Sequence, residues 1–294
     1  MADFRGDQAA GLRRLFGRPQ LRVVTFVAGS VGVGKSVAVA NLAAALARQG
    51  RDVLVVDENT GDNVAAYFGA RARHDLQQVI DREKALSEVI VPVAPGVRVL
   101  PAARVVGQLA SLSAAEQRIL LESLGDIGRP ADVVLVDASL DHPLGFSPLG
   151  LAAQEAVIVV APNGASITEA YALIKKVSLA YSRKHFRILV NKARTASEAQ
   201  AVHDNIAEVT HSRRLARLDY AGYVPLDEHL RQASRLCQAV IGLFPDSPAA
   251  IAYQAVAGDL LGWPTADNDV GGLEHFVQQL LHLSQRIDPT AIYA

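Results

Sequence analysis

The chain has 294 residues, of which 50% are hydrophobic and 20% charged, so it can form one large domain with short appendages. Its 29 Lys and Arg nearly balance its 30 Asp and Glu, which argues against nucleic acid or anionic lipid as the main partner. The single cysteine, Cys237, excludes an internal disulfide, and the sequence contains neither an apolar signal core near its start nor an apolar run of about 18 residues. We therefore expect a cytoplasmic protein.

The first predicted element is a short helix over residues 7–16, DQAAGLRRLF. Asp7 is a helix-capping residue type, and Ala9, Leu12 and Phe16 follow at helical spacing. Isolated helices shorter than about 12 residues are marginal in water. We therefore expect this segment to lie against a surface, either of its own domain or of a partner.

Short apolar segments rich in Val, Ile and Leu then alternate with segments of helical periodicity. This alternation predicts a doubly wound α/β fold, in which a mostly parallel sheet is flanked by helices. The predicted strands are 22–27, 53–57, 132–137, 156–161 and 186–191, with weaker ones at 97–100 and 220–224. The predicted helices are 35–49, 113–124, 166–181 and 196–209, and helices broken by Pro245 and Pro248 follow over 226–262.

Residues 29–36, GSVGVGKS, match the phosphate-loop pattern G-x-x-x-x-G-K-[ST] between the first strand and the first helix. The backbone of such a loop wraps around a polyphosphate, a lysine supplies positive charge, and a serine coordinates Mg²⁺. A Gly-rich turn without a ligand is the alternative. The residues expected to contact the nucleotide are Gly29, Gly32, Val33, Gly34, Lys35 and Ser36.

Two carboxylates stand at the carboxyl ends of predicted strands, Asp57 and Asp137. Ligands of open α/β sheets collect at this edge. We expect Asp137 to hold Mg²⁺ together with Ser36, and we expect Asp57 to act beside Lys35 in catalysis. The alternative is that either carboxylate caps a helix or is solvated.

Several segments resemble, in order and spacing, the MinD/ParA class of SIMIBI-type P-loop ATPases. They are VVTFVAGSVGVGKS, VVDENTGDNV, VLVDAS, ITEAYALIKKVS and LVNKAR, and the resemblance covers roughly residues 22–262. The segment DQAAGLRRLF is similar to the DQAxxLR motif of the FlhG (FleN) branch. The resemblance implies a protein that binds ATP or ADP with Mg²⁺ and regulates flagellar number and placement at the inner face of the membrane at the cell pole.

The resemblance also implies a partner for the N-terminal helix. In the FlhG branch this helix docks on the signal-recognition-type GTPase FlhF and stimulates GTP hydrolysis, with the motif glutamine reaching toward the partner's catalytic site. The matching partner-binding residues are Asp7, Gln8, Ala9, Leu12 and Arg13.

Two positions depart from the family's active site. Ser30 stands where the family has a lysine that reaches the phosphates of the partner protomer, and Asn59 replaces the second Asp of an Asp-x-Asp pattern. An Asn can orient water but cannot take its proton. Because such a base or cation is commonly worth about 10²-fold in rate, we expect very slow hydrolysis. The loss of the lysine also weakens the case for a nucleotide-dependent homodimer.

The resemblance assigns contacts with the adenine base to two further residues. Asn191 matches a strand-end asparagine of the relatives, and Pro225 matches a loop that closes over the base. Asn191 could equally cap the next turn.

The last predicted element is an amphipathic helix over 273–287, LEHFVQQLLHLSQRI, after a polar linker. The resemblance matches it to a membrane-targeting helix. Its polar face carries few cations, so weak membrane contact and packing on the protein's own body both remain open. The predicted organisation is 1–20 for the partner-activating segment, 21–263 for the nucleotide-binding domain, 264–272 for the linker and 273–288 for the helix.

The sequence is compatible with three functions. The first is a regulator of flagellar number whose partners are an FlhF-type GTPase and a flagellar transcription regulator. The second is a working ATPase switch that cycles on and off the membrane. The third is a ParA-like DNA-partitioning ATPase using Arg213, Arg214 and Arg217, which we do not expect because no recognition helix accompanies them.

Overall fold

The computed structural model describes residues 21–61, 63–125, 131–140 and 147–264. The predicted N-terminal segment 7–16 and the predicted C-terminal helix 273–287 both lie outside these ranges.

The described body is built on an eight-stranded sheet in the order β3-β4-β2-β5-β1-β6-β7-β8. Only β3 runs antiparallel to its neighbour, β4, and the other neighbouring pairs are parallel. The strands are β1 Arg22–Val27, β2 Val53–Asp57, β3 Val91–Ala94, β4 Val97–Pro101, β5 Val133–Asp137, β6 Glu155–Val160, β7 His185–Ala193 and β8 Arg217–Pro225.

Helices cover both faces of the sheet. They are α1 Lys35–Arg48, α2 Gln77–Ile80, α3 Leu86–Val89, α4 Ala103–Val106, α5 Ala114–Gly125, α6 Pro148–Ala152, α7 Gly164–Tyr181, α8 Ala196–Ser212, α9 Glu228–Arg235, α10 Val240–Leu243 and α11 Pro248–Gly262, with 3₁₀ turns at Val64–Phe68 and Leu109–Ser111. Alternate residues of β1 serve the two faces: Val24 and Phe26 pack on the side of α1 and α11, and Val23 and Val27 pack on the other. This two-sided burial explains why the central strands are continuously apolar.

The predicted doubly wound, mostly parallel α/β fold is confirmed, and all seven predicted strands are present. The additional strand, β3, was not predicted. It is a short edge strand that contains Pro92 and is only partly buried, so its sequence lacks a buried-strand pattern. Pro248 lies in the first turn of α11, where proline is tolerated, rather than interrupting a helix. Within the described ranges, none of the helices combines the length and apolarity needed to cross a bilayer.

A buried ionic cluster lies at the amino edge of the sheet. The Arg187 Nε donates to Glu155 Oε2 at 3.0 Å, and the Arg187 guanidinium lies 4.2 Å from the centre of the Trp263 ring. Arg22 at the start of β1 donates to the carbonyl oxygen of Trp263 at 2.8 Å. The end of α11 is therefore held against the first strand.

We expect Arg187→Ala to lower the free energy of unfolding by about 3 kcal/mol, because it leaves the buried Glu155 carboxylate without its partner. The double variant Arg187→Ala/Glu155→Ala should recover part of this loss. Urea unfolding monitored by circular dichroism measures both. The matched control is Arg217→Ala, since Arg217 is 79% exposed and its pair with Asp219 should contribute less than about 1 kcal/mol. Equal losses at Arg187 and Arg217 would contradict the assignment.

Candidate functional site

The phosphate loop lies between β1 and α1, at the carboxyl edge of the sheet. Gly34 is the N-cap of α1 in a left-handed conformation, φ +88°, and no side chain caps the helix. The first turn of α1 also contains no acidic residue. By contrast, α7 is capped by the Asn163 side chain and α8 by Thr195. The amide groups at the start of α1 are therefore left to an anionic ligand.

At two positions of the loop, only glycine leaves room for a neighbouring group. A Cβ on Gly34 would lie 2.4 Å from Asn191 Nδ2, and a Cβ on Gly29 would lie 2.4 Å from the carbonyl carbon of Glu169. Any larger residue at either position would therefore displace the loop from β7 or from α7.

Lys35 and Asp137 form a buried ion pair. The parallel register of β1 and β5 sets Phe26 beside Asp137, so the loop that follows β1 passes over the end of β5. Lys35 Nζ lies 2.5 Å from Asp137 Oδ1 and also donates to the carbonyl oxygen of Ala138 at 2.6 Å. Both side chains are buried. The structure thus brings together two of the three residues predicted to act in catalysis.

Asn59 joins the third of these residues to the same network. Its Nδ2 donates to Asp57 Oδ1 at 2.9 Å and to Asp137 Oδ2 at 2.8 Å, and the β2–β5 register sets the two aspartates side by side. Burial, together with the negative charge of Asp137, raises the pKa of Asp57 to about 6. The Asn59 amide offsets part of this repulsion, and an aspartate could not donate these bonds. The Asn59 amide nitrogen therefore bridges the two carboxylates.

A further carboxyl group, Glu58, was not among the predicted site residues. Its Oε2 accepts from the Ser139 amide at 2.9 Å, and its Oε1 accepts from the Ser147 hydroxyl at 2.5 Å. Burial raises the pKa of Glu58 to about 7. The sequence signal was its position between Asp57 and Asn59 at a strand end, which places it at the ligand edge of the sheet.

Lys35, Glu58 and Asn59 border a cavity of about 530 Å³, a size typical of small-molecule sites, whereas Asp57 and Asp137 lie behind them and are not among its lining residues. The cavity lining includes the phosphate-loop residues Ser30, Lys35 and Ser36, together with Tyr67 and Val106. The uncapped helix start, the glycine cradle and the buried lysine fit a polyphosphate. Ser36 brings a hydroxyl to the same cavity.

Neither of the two predicted adenine-contacting residues lines this cavity. Asn191 lies beneath the loop, where its Nδ2 donates to the Val33 carbonyl oxygen at 2.8 Å and its Oδ1 accepts from the Lys192 amide at 3.0 Å. Pro225 ends β8 and is paired in register with Ala193. Contact of Asn191 and Pro225 with a base stays a prediction.

The family model for the CobQ/CobB/MinD/ParA nucleotide binding domain matches residues 24–236. The antiactivator FleN of Pseudomonas aeruginosa is 35% identical over 262 residues, which are 89% of this chain and 94% of that protein. The flagellum site-determining protein YlxH of Helicobacter pylori is 24% identical, over 88% of this chain and 90% of that protein.

Among solved structures, the MinD cell division protein of Aquifex aeolicus aligns with a TM-score of 0.64 at 22% identity, over 83% of this chain and 98% of that one. That likeness shows the shared fold. The matched family model covers most of the chain and the FleN alignment covers nearly all of it, so this protein belongs to the CobQ/CobB/MinD/ParA family of nucleotide-binding domains.

Proposed function

We propose that this protein is a MinD-type, nucleotide-binding regulator of flagellar number and placement whose own ATP hydrolysis is slow. The observation that carries the proposal is the 35% identity to an antiactivator, FleN, across 89% of the chain. The similarity to a protein named for determining the flagellum site supports it further. We place its action at the inner face of the membrane at the cell pole.

The ligand we propose is ATP or ADP with Mg²⁺. The amides of Gly29, Gly32, Val33 and Gly34 would surround the phosphates, with Lys35 as the cation. Ser36 and Asp137 would hold Mg²⁺, which neutralises phosphate charge when bound. In the structure the Asp137 carboxylate is engaged by Lys35 and Asn59. Entry of the metal and the phosphates therefore requires Lys35 to share or exchange its partner.

Slow hydrolysis follows from the side chains at two positions. Ser30 borders the cavity but carries no charge, so it supplies no cation to the phosphates of a second protomer. Asn59 cannot accept a proton from water, and its two amide hydrogens already serve Asp57 and Asp137. On this view, the pocket acts as a scaffold or slow switch.

The catalytic effect would lie in a partner. We propose that Gln8, supported by Asp7, Ala9, Leu12 and Arg13, stimulates an FlhF-type GTPase. These residues lie outside the described ranges, so their roles rest on the sequence motif. The membrane contact of 273–287, the nucleotide-dependent homodimer and the transcription-regulator partner likewise stay predictions.

A second candidate function is a working ATPase switch that cycles between membrane and cytosol. The specific observation in its favour is Glu58, a carboxyl group that borders the cavity beside Asn59 and could serve in place of the missing base.

Addition of the purified protein to an FlhF-type GTPase should raise GTP hydrolysis about tenfold or more, since a group delivered to a phosphoryl-transfer site is commonly worth at least that much. Gln8→Ala should remove the stimulation. Gln20→Ala is the matched control, because it removes the same side chain outside the motif. Release of phosphate from GTP is the readout, and stimulation that survives Gln8→Ala would refute the role of this segment.

Steady-state phosphate release from ATP by the isolated protein separates the two candidates. The regulator predicts turnover near background. The ATPase switch predicts turnover that Lys35→Ala abolishes and that Glu58→Gln lowers about 10²-fold, because one positioned base is commonly worth this much. Rapid ATP hydrolysis that is abolished by Lys35→Ala and lowered by Glu58→Gln would establish the second candidate function.

Asn59→Asp, which restores the family's residue, should fail to restore rapid ATP hydrolysis. The new carboxylate cannot donate to Asp57 and Asp137 and instead repels both.

Buried carboxyl groups with raised pKa values bind more protons in the folded than in the unfolded state, so stability falls as pH rises. The melting temperature of Asn59→Asp should therefore drop further below wild type at pH 8 than at pH 6.

The control for this change is Asn59→Ala, which also loses the bridging bonds but adds no charge. Its deficit in melting temperature should depend less on pH. An increase in phosphate release of about tenfold or more in Asn59→Asp would show that this residue alone limits hydrolysis.

A further inference from the structure

The carboxyl end of β7 contains a bulge that re-aims one side chain. The pairing of β7 with β8 shifts register between Asn191 and Ala193, and the intervening Lys192 adopts a left-handed backbone, φ +62°. Such a conformation is unfavourable for a lysine and occurs where the surrounding contacts enforce it. Bulges near ligand edges of sheets commonly redirect a side chain in this way.

The redirected side chain returns to the phosphate loop. Lys192 Nζ donates to the carbonyl oxygen of Gly32 at 2.6 Å, and its Cε would lie 3.7 Å from a Cβ built on Gly34. The preceding residue, Asn191, donates to the carbonyl oxygen of Val33 at 2.8 Å. Two consecutive residues of β7 thus hold two consecutive carbonyl groups of the loop.

These contacts decide where the loop's amide hydrogens point. In a trans peptide the C=O and N–H of one unit point in opposite directions. The Gly32 carbonyl shares its peptide unit with the Val33 amide, and the Val33 carbonyl shares its unit with the Gly34 amide. Because both carbonyls are turned toward β7, both amides are turned away from it, toward the side that an anion would occupy.

We propose that Asn191 and Lys192 form a clamp that presets the phosphate loop for a nucleoside di- or triphosphate, with Lys192 as a positioning residue that sets the affinity. This inference rests on the proposed nucleotide binding. Lys192 acts through the loop backbone, so its effect serves the phosphates and does not depend on the base. It also brings to the loop an exposed ammonium group, whereas Ser30 brings none.

The test is calorimetric binding of ADP, ATP and inorganic pyrophosphate to the full chain and its variants in the presence of Mg²⁺. Lys192→Asn keeps a residue type that tolerates the left-handed backbone but removes the ammonium. We expect it to weaken binding of all three ligands by about tenfold, the usual effect of one charged hydrogen bond. Lys192→Arg, which retains a long cationic donor, should recover most of the affinity.

The control is Lys84→Asn. It also removes one lysine charge, but Lys84 lies between α2 and α3 and does not line the cavity, so ligand binding should be unchanged. The ligand-free melting temperature of Lys192→Asn should equal that of wild type, since the side chain is exposed. If Lys192→Asn has a lower melting temperature but unchanged affinity for the three ligands, Lys192 has only a structural role and the clamp proposal is wrong. Unchanged affinity at unchanged stability would also overturn it.

The choice of ligands separates the remaining outcomes. A loss confined to ATP would indicate direct contact with the terminal phosphate, and a loss for ADP and ATP but not pyrophosphate would indicate contact with the nucleoside. Either result would refute positioning through the loop. If the wild-type protein binds none of the three ligands, the proposed nucleotide binding fails, and the clamp fails with it.

Discussion

The pairing of a buried lysine with a buried aspartate connects the phosphate loop to the carboxyl edge of the sheet. Lys35 and Asp137 neutralise each other at the carboxyl edge, but Asp57 and Glu58 are buried beside them. Among the described residues at the ends of β2 and β5, three buried carboxyl groups, Asp57, Glu58 and Asp137, lie beside one buried ammonium group, that of Lys35. A polyphosphate bound as proposed would add further negative charge at this edge, which a divalent cation and the uncapped start of α1 would offset.

The phosphate loop is held from two directions before any ligand arrives. On one side Lys35 ties it to the end of β5, and on the other Asn191 and Lys192 tie its carbonyl groups to the end of β7. A loop restrained in this way loses little conformational freedom on binding. In the proposed nucleotide complex, Lys35 would have to share or exchange Asp137, whereas the contacts of Asn191 and Lys192 with the loop carbonyl groups could persist.

The central strands could be predicted from the sequence because burial on both faces produces continuous apolar runs. The edge strand β3 was not predicted, because it contains Pro92 and is only partly buried and so lacks that pattern. Lys35 was predicted from the spacing of the phosphate-loop pattern and Asp137 from its position at the end of an apolar strand. The direction of the Asn59 amide was beyond such reasoning, because it depends on the register that sets Asp57 beside Asp137. Lys192 was missed for a similar reason, since only the bulge in β7 turns it toward the loop.

The bond from Arg22 to the Trp263 carbonyl joins the two ends of the described body at the amino edge of the sheet. The phosphate loop lies at the far end of β1, about 20 Å away for a strand of six residues. Arg22 and Trp263 are therefore held together at one point of the body, remote from the phosphate loop. If residues 7–16 bind a partner and residues 273–287 bind the membrane, as proposed, both would act from this one point of the body.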